Sequence, residues 1–161
     1  MVFADWVSKV SGVKTEVASD ARRAVEQADI LTLATSASNP VLEGAWLKPG
    51  VHINGIGSHA PHQRELDSAS VQRSKVVCDL VSACQAEAGD LMIPVDNDEW
   101  NWKQVHGDLG QVLRGEIAGR ESPQEITLFK SVGLAIQDMS VARHVYEQAL
   151  AQGIGKDFRF S

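Results

Sequence analysis

Positive charge is in deficit in this 161-residue chain: 15 Lys and Arg face 21 Asp and Glu, a net charge of −6. A nucleic-acid binder normally carries a basic face, and no cluster of Lys and Arg occurs here. Nucleic acid is therefore not an expected partner. No apolar run is long enough to span a bilayer, so no membrane partner is expected either. The opening residues, Met1 to Trp6, lack the basic region and long apolar segment of a secretion signal. Cysteine is scarce: Cys78 and Cys84 are six residues apart, which matches neither a redox pair nor a metal pair. Cys78 sits in an apolar run and is expected to be a small core residue, and the expected compartment is a reducing cytoplasm. What remains is ordinary. With 43% apolar and 22% charged residues, the chain can build one core, and one domain is expected.

Short β-rich runs alternate with helical segments, an order that favours a parallel sheet flanked by helices. Phe3, Trp6, Val7 and Val10 share one face of a helix. Val13 to Val17 is a short strand candidate. Ser19 or Asp20 can cap a helix through Ala21 to Gln27. Ile30 to Thr35, Val51 to Gly57 and Lys75 to Leu80 are strands apolar on both faces, which suits a sheet buried on both sides. Lys48-Pro49-Gly50 is a turn before the second of these. Ser82 to Ala88 is expected to be a helix ended by Gly89, and Leu109 to Leu113 a helix closed near Gly115. Ser122-Pro123-Gln124-Glu125 has the form of a helix start, with Pro at the first helical position. The helix it predicts runs from Ile126 to Ala151 and is apolar around most of its circumference. Such a helix is normally buried by more than one partner. Gly153 and Gly155 end it, and Phe158-Arg159-Phe160 is a candidate terminal strand.

Three segments could carry chemistry. Ala34 to Leu42 follows a strand, where open α/β sheets bind ligands, and its small hydroxyl residues allow close backbone approach. It could equally be a polar connector stopped by Pro40. Asn54 to Asp67 also follows a strand. Its two glycines, Gly55 and Gly57, admit a flat ring, and His59 sits where a proton donor would serve. A solvated loop histidine is the plainer alternative. His59 and His62 lie three apart but lack identifiable further ligands, so no metal is expected. Phe129 to Ala135 places Gly133 inside the long helix, where glycine costs about 1 kcal/mol relative to alanine and needs a packing or ligand reason.

In order and spacing, these segments resemble the ornithine cyclodeaminase/mu-crystallin family. The resemblance runs from about Phe3 to about Leu150. It is carried by Ala28-Asp29-Ile30 through Ala34-Thr35-Ser36, by Pro40-Val41-Leu42, and by Gly44-Ala45-Trp46-Leu47-Lys48-Pro49-Gly50. His52-Ile53-Asn54 with Gly57, then Arg64-Glu65-Leu66-Asp67, continue it. Gly107-Asp108-Leu109-Gly110-Gln111-Val112-Leu113, Gly115, Gly119-Arg120 and Glu125 to Gly133 complete it.

The resemblance implies an N-terminal part that dimerises and supplies much of the substrate site, and a Rossmann-type domain that binds NAD or NADP. It places Thr35 and Ser36 against the cofactor, and Gly57, Ser131 and Gly133 near the nicotinamide. The position of His59 is a catalytic aspartate in the cyclodeaminase. Histidine there points to the branch that reduces cyclic ketimines or pyrroline-2-carboxylate, with His59 as proton donor. A cyclodeaminase or alanine dehydrogenase parent is the alternative. No G-x-G-x-x-G occurs in the 161 residues, although that loop normally holds the pyrophosphate. Residues 1–161 are thus expected to form one truncated, partial Rossmann-like domain, with residues 122–161 a helix and tail that would pack on a missing N-terminal domain. Such a chain is expected to be inactive alone and to form a homo-oligomer, because strand edges and apolar surface need cover. A small imino or amino acid is the implied substrate. A non-catalytic assembly module that binds no cofactor is the other reading.

Overall fold

A computed structural model describes residues 3–156 and residue 158. Five parallel strands form one sheet: β1 (Ile30–Leu33), β2 (His52–Gly55), β3 (Lys75–Cys78), β4 (Val105–Asp108) and β5 (Thr127–Lys130). Their spatial order is β1-β2-β5-β3-β4, so the last strand in the chain is the middle one in the sheet. Seven helices accompany them among the described residues: α1 (Phe3–Ser11), α2 (Ala21–Gln27), α3 (Ser68–Gln72), α4 (Val81–Glu87), α5 (Gly89–Asp96), α6 (Leu109–Leu113) and α7 (Ala135–Gln152).

The strands alternate, as half-buried strands do. Leu31, Ile53, Val76, Cys78 and Leu128 point into a single core with Val25 of α2, Val71 of α3, Cys84 of α4 and Leu91 of α5. The other face carries Ile30, which is exposed, and His52, Val77, Thr127 and Phe129, which are half-buried. The sequence predicts burial on both sides; the described residues bury one face fully and the other only in part. On the open face lies a cavity of about 450 Å³, rimmed by Leu109 and Val112 of α6. The polar residues there bond to one another: His52 Nδ1 lies 2.8 Å from Thr127 Oγ1, and Asn54 meets both His52 Nε2 (3.1 Å) and Thr32 Oγ1 (3.3 Å).

Several expectations hold. Asp20 caps α2 by accepting from the Arg23 amide at 2.8 Å. Gly153, at φ +63°, closes α7. Cys78 is buried in the core. The largest correction concerns the predicted helix from Ile126 to Ala151. Its first residues form β5, and α7 begins only at Ala135. Thr127 to Lys130 pair with β2 on one side and β3 on the other, and two ladders outweigh a local helical pattern. Ser122-Pro123 starts no helix. The carbonyl oxygen of Pro123 packs instead on Gly50, where an added Cβ would lie 2.3 Å from it. Val13 to Val17 pairs with no strand, and Val13 and Val17 are exposed. Gly89 starts α5 rather than merely ending α4. A Cβ there would meet the Gln63 carbonyl oxygen at 2.0 Å. None of the residues of α7 is buried, and Ile136, Met139, Val145, Tyr146 and Leu150 are exposed. Of the candidate terminal strand, Phe158 is not in a strand, and Arg159 and Phe160 lie outside the described residues.

Candidate functional site

Parallel strands deliver their carboxyl ends to one edge of the sheet. Leu33, Gly55 and Lys130 are partners in register on β1, β2 and β5, so the segments that follow them leave the sheet at one level. Those segments carry Thr35 and Ser36, Gly57 and His59, and Ser131 and Gly133. The three candidate stretches therefore converge. Ser131 and Gly133 reach this edge from the loop after β5 and not from the long helix, which corrects the sequence reading.

A buried carboxylate ties the first two loops together. Glu65 Oε1 accepts from the Thr35 amide at 2.6 Å, and Oε2 accepts from the Gly57 and Ser58 amides at 2.9 and 3.2 Å. Three backbone donors thus converge on one carboxyl group. The backbones meet so closely that a Cβ on Gly57 would lie 2.4 Å from the Thr35 carbonyl oxygen. Glycine is needed here for close approach, leaving a flush backbone surface.

Beneath Glu65 lies a buried charge pair. Lys130 Nζ contacts Asp90 Oδ2 at 2.9 Å and donates to the Ser58 carbonyl at 2.7 Å. Asp90 Oδ1 accepts from the Glu65 and Leu66 amides at 2.6 and 2.9 Å. Asp90 sits in the first turn of α5, where the helix end favours negative charge.

The third loop has its own anchor. Asp79, just after β3, accepts at Oδ2 from Ser131 Oγ (2.7 Å) and from the Val132 and Gly133 amides (2.9 and 3.0 Å). Its Oδ1 accepts from the Leu80 amide at 2.7 Å and from the Cys84 thiol at 3.4 Å. Burial pushes the Asp79 carboxyl up. The Ser131 hydroxyl, the Leu80 and Val132 amides and the Cys84 thiol outweigh it and hold the group below the usual carboxylate range. The Cys78 thiol beside Cys84, together with burial, pushes the Cys84 thiol up, so Cys84 is a core residue and not a nucleophile. Gly133 takes φ +85° with open space where a side chain would stand.

His59 is exposed, and its Nδ1 lies 2.9 Å from the Gly57 carbonyl oxygen. A carbonyl only accepts, so Nδ1 carries the hydrogen and Nε2 is the nitrogen left for proton exchange. Thr35 Oγ1 accepts from the Ala37 amide at 3.2 Å, a bond that does not consume its own proton. Ser36 is exposed beside it.

Sequence reasoning placed Thr35, Gly57 and His59 at strand ends but missed Asp79, Asp90 and Lys130 and gave Glu65 no role. One signal was available. Lys130 alternates with Leu128 on the core face, so a strand there would have put a lysine inside the protein.

The whole pattern matches one known family over residues 1–153. The chain belongs to the ornithine cyclodeaminase/mu-crystallin family. It is 42% identical to the Delta(1)-pyrroline-2-carboxylate reductase of Bacillus cereus over 159 residues, 98% of this chain and 49% of that protein. The solved structure of Thermococcus litoralis Delta(1)-pyrroline-2-carboxylate reductase in complex with NADH and L-proline is 42% identical. It superposes with a TM-score of 0.93 over 97% of this chain and 48% of that one. An archaeal alanine dehydrogenase dimer with bound NAD is 34% identical at a TM-score of 0.86, over 98% of this chain and 49% of the other. The chain thus spans about half the length of the relatives it matches.

Proposed function

We propose that these residues form the rear half of the cofactor-binding unit of an NAD(P)-dependent reductase acting on pyrroline-2-carboxylate or a related cyclic ketimine. The convergence of Thr35, Gly57 and Ser131 at the ends of three neighbouring, in-register strands carries this reading. The site suits a flat ring: Gly57 offers bare backbone and Gly133 leaves open space. Thr35 and Ser36 would contact the cofactor, with Gly57, Ser131 and Gly133 beside the nicotinamide. A reduced nicotinamide bound there would supply hydride to the imine carbon. Protonated on both ring nitrogens, His59 would give its Nε2 proton to the imine nitrogen and keep the Nδ1 proton, so that the C=N bond becomes C–H and N–H. The relatives' names for pyrroline-2-carboxylate reduction, and NADH in the solved neighbour, support this choice over cyclodeamination.

No G-x-G-x-x-G motif for the pyrophosphate loop occurs in the 161 residues. Its function must come from polypeptide beyond them, in the same chain or another. The exposed apolar residues of α7 favour a second element of the reading, association into a homo-oligomer.

The test is titration with NADH and NADPH, followed through the four tryptophans, with and without the front half of the Bacillus reductase as a separate chain. The residues alone should bind weakly or not at all. The mixture should bind at micromolar concentration and reduce pyrroline-2-carboxylate. Failure to bind either cofactor in both conditions overturns the proposal.

A further inference from the structure

We infer that Glu65 is a positioning residue for His59, acting through the single peptide group between Gly57 and Ser58. The inference rests on the proposed role of His59 as proton donor, but its geometry stands apart from any cofactor. The N–H of that peptide belongs to Ser58 and donates to Glu65 Oε2 at 3.2 Å. Its C=O belongs to Gly57 and accepts from His59 Nδ1 at 2.9 Å. A carboxylate at one end and an imidazole at the other are thus joined by one planar, polarisable unit. A hydrogen bond at the N–H strengthens the carbonyl as an acceptor.

The unit cannot turn. Gly57 N is itself held by Glu65, the Ser58 carbonyl by Lys130, and Ser58 Oγ donates to the Gln63 carbonyl at 2.7 Å. Ser58 is fully buried, whereas His59 next to it is exposed. The arrangement gives an exposed ring a fixed hydrogen-bond acceptor. It selects the form with hydrogen on Nδ1 and leaves Nε2 outside that bond, able to take up and release a proton. A carboxylate oriented the imidazole directly in the familiar hydrolase arrangement; here the peptide group stands between them. Charged neighbours of this unit are Lys130 and Asp90 below it and His62 and Arg64 in the same loop, and among these only Lys130 touches the peptides concerned.

The test reads the ring directly. Nitrogen-15 spectra of the imidazoles, recorded on the full chain at a pH where the rings are neutral, report which nitrogen carries hydrogen. His59 should be in the Nδ1–H form in the unmodified chain. Glu65→Gln should shift it towards Nε2–H, with His62 unchanged as the internal reference. Val71→Ala, in the core on α3, should lower stability and leave the His59 signals in place. If Glu65→Gln does not fold, Glu65→Asp, one methylene shorter, serves the same comparison. An Nε2–H ring in the unmodified chain overturns the inference. So does a Glu65 variant with unaltered His59 signals, or a Val71→Ala shift equal to that of Glu65→Gln. Failure to bind NADH and NADPH both with and without the front half would sink the reductase reading and leave these spectra to decide the inference alone.

Discussion

Replacing Lys130 by methionine should be among the most destabilising single changes in this protein. Lys130 and Asp90 are both fully buried, with Nζ and Oδ2 at 2.9 Å. Losing one member of such a pair typically costs about 3–5 kcal/mol, because the other charge stays behind in a medium that solvates it poorly. Two things temper the figure here. Asp90 keeps the Glu65 and Leu66 amides on Oδ1, and methionine fills most of the vacated volume. One thing adds to it: the Ser58 carbonyl loses its donor. The expected cost is therefore about 3 kcal/mol, close to two orders of magnitude in the folded-to-unfolded ratio. Domains have only roughly 5–15 kcal/mol to lose. Urea unfolding at matched protein concentration measures it, since association also contributes to apparent stability. The double variant Lys130→Met with Asp90→Asn removes both charges while keeping an acceptor for the two amides. It should be more stable than the sum of the single losses implies, by about 1–3 kcal/mol. A Lys130→Met cost under about 1 kcal/mol, or strict additivity in the double variant, would refute the claim that the pair is a coupled buried unit.

Other outcomes follow from the same geometry. Gly57→Ala should cost about 1–3 kcal/mol, because its Cβ would lie 2.4 Å from the Thr35 carbonyl oxygen, and hydrogen exchange should speed up at the Thr35 amide. Asp79 is held below its ordinary range when folded, so its contribution is complete above the unfolded carboxyl's pKa and disappears as pH falls through the lower folded value. The Gly133 amide signal should therefore keep its folded position well into acid and move only below the usual carboxylate range, and Asp79→Asn should abolish that transition. Met139→Glu on α7 should leave the fold intact and reduce association measured by sedimentation velocity. Unchanged association would remove α7 from the interface.

The legible parts of this fold were those set by neighbours in sequence. β1, β2 and β3 show as runs of Ile, Leu, Val and Thr, and the α2 cap shows as Asp20 three residues before Arg23. β5 was illegible because its strand character comes from partners far away in the chain. Only four residues long, it abuts a segment with helical periodicity, and ladders on both sides settle its state. The site divides in the same way. Thr35 and Gly57 stand out as strand ends, and family resemblance brought Ser131 and Gly133 to the same place in the wrong element. The anchors were hidden. Glu65 reaches Thr35 across 30 residues, Asp79 reaches Ser131 across 52, and Lys130 reaches Ser58 across 72. No local pattern encodes such pairings.

The position of β5 also has a consequence for biosynthesis. A ribosome releases β1 and β2, then β3 and β4, before Thr127 to Lys130 emerge. Until then each early pair has an open inner edge where β5 will insert, and no strand ladder joins the two halves of the sheet. The strand that joins them also brings Lys130, the cation that Asp90 awaits. Completion is therefore late and all at once, and a nascent chain stalled before Lys130 would offer two unsatisfied edges and a buried acid without its counterion to any chaperone at the tunnel exit.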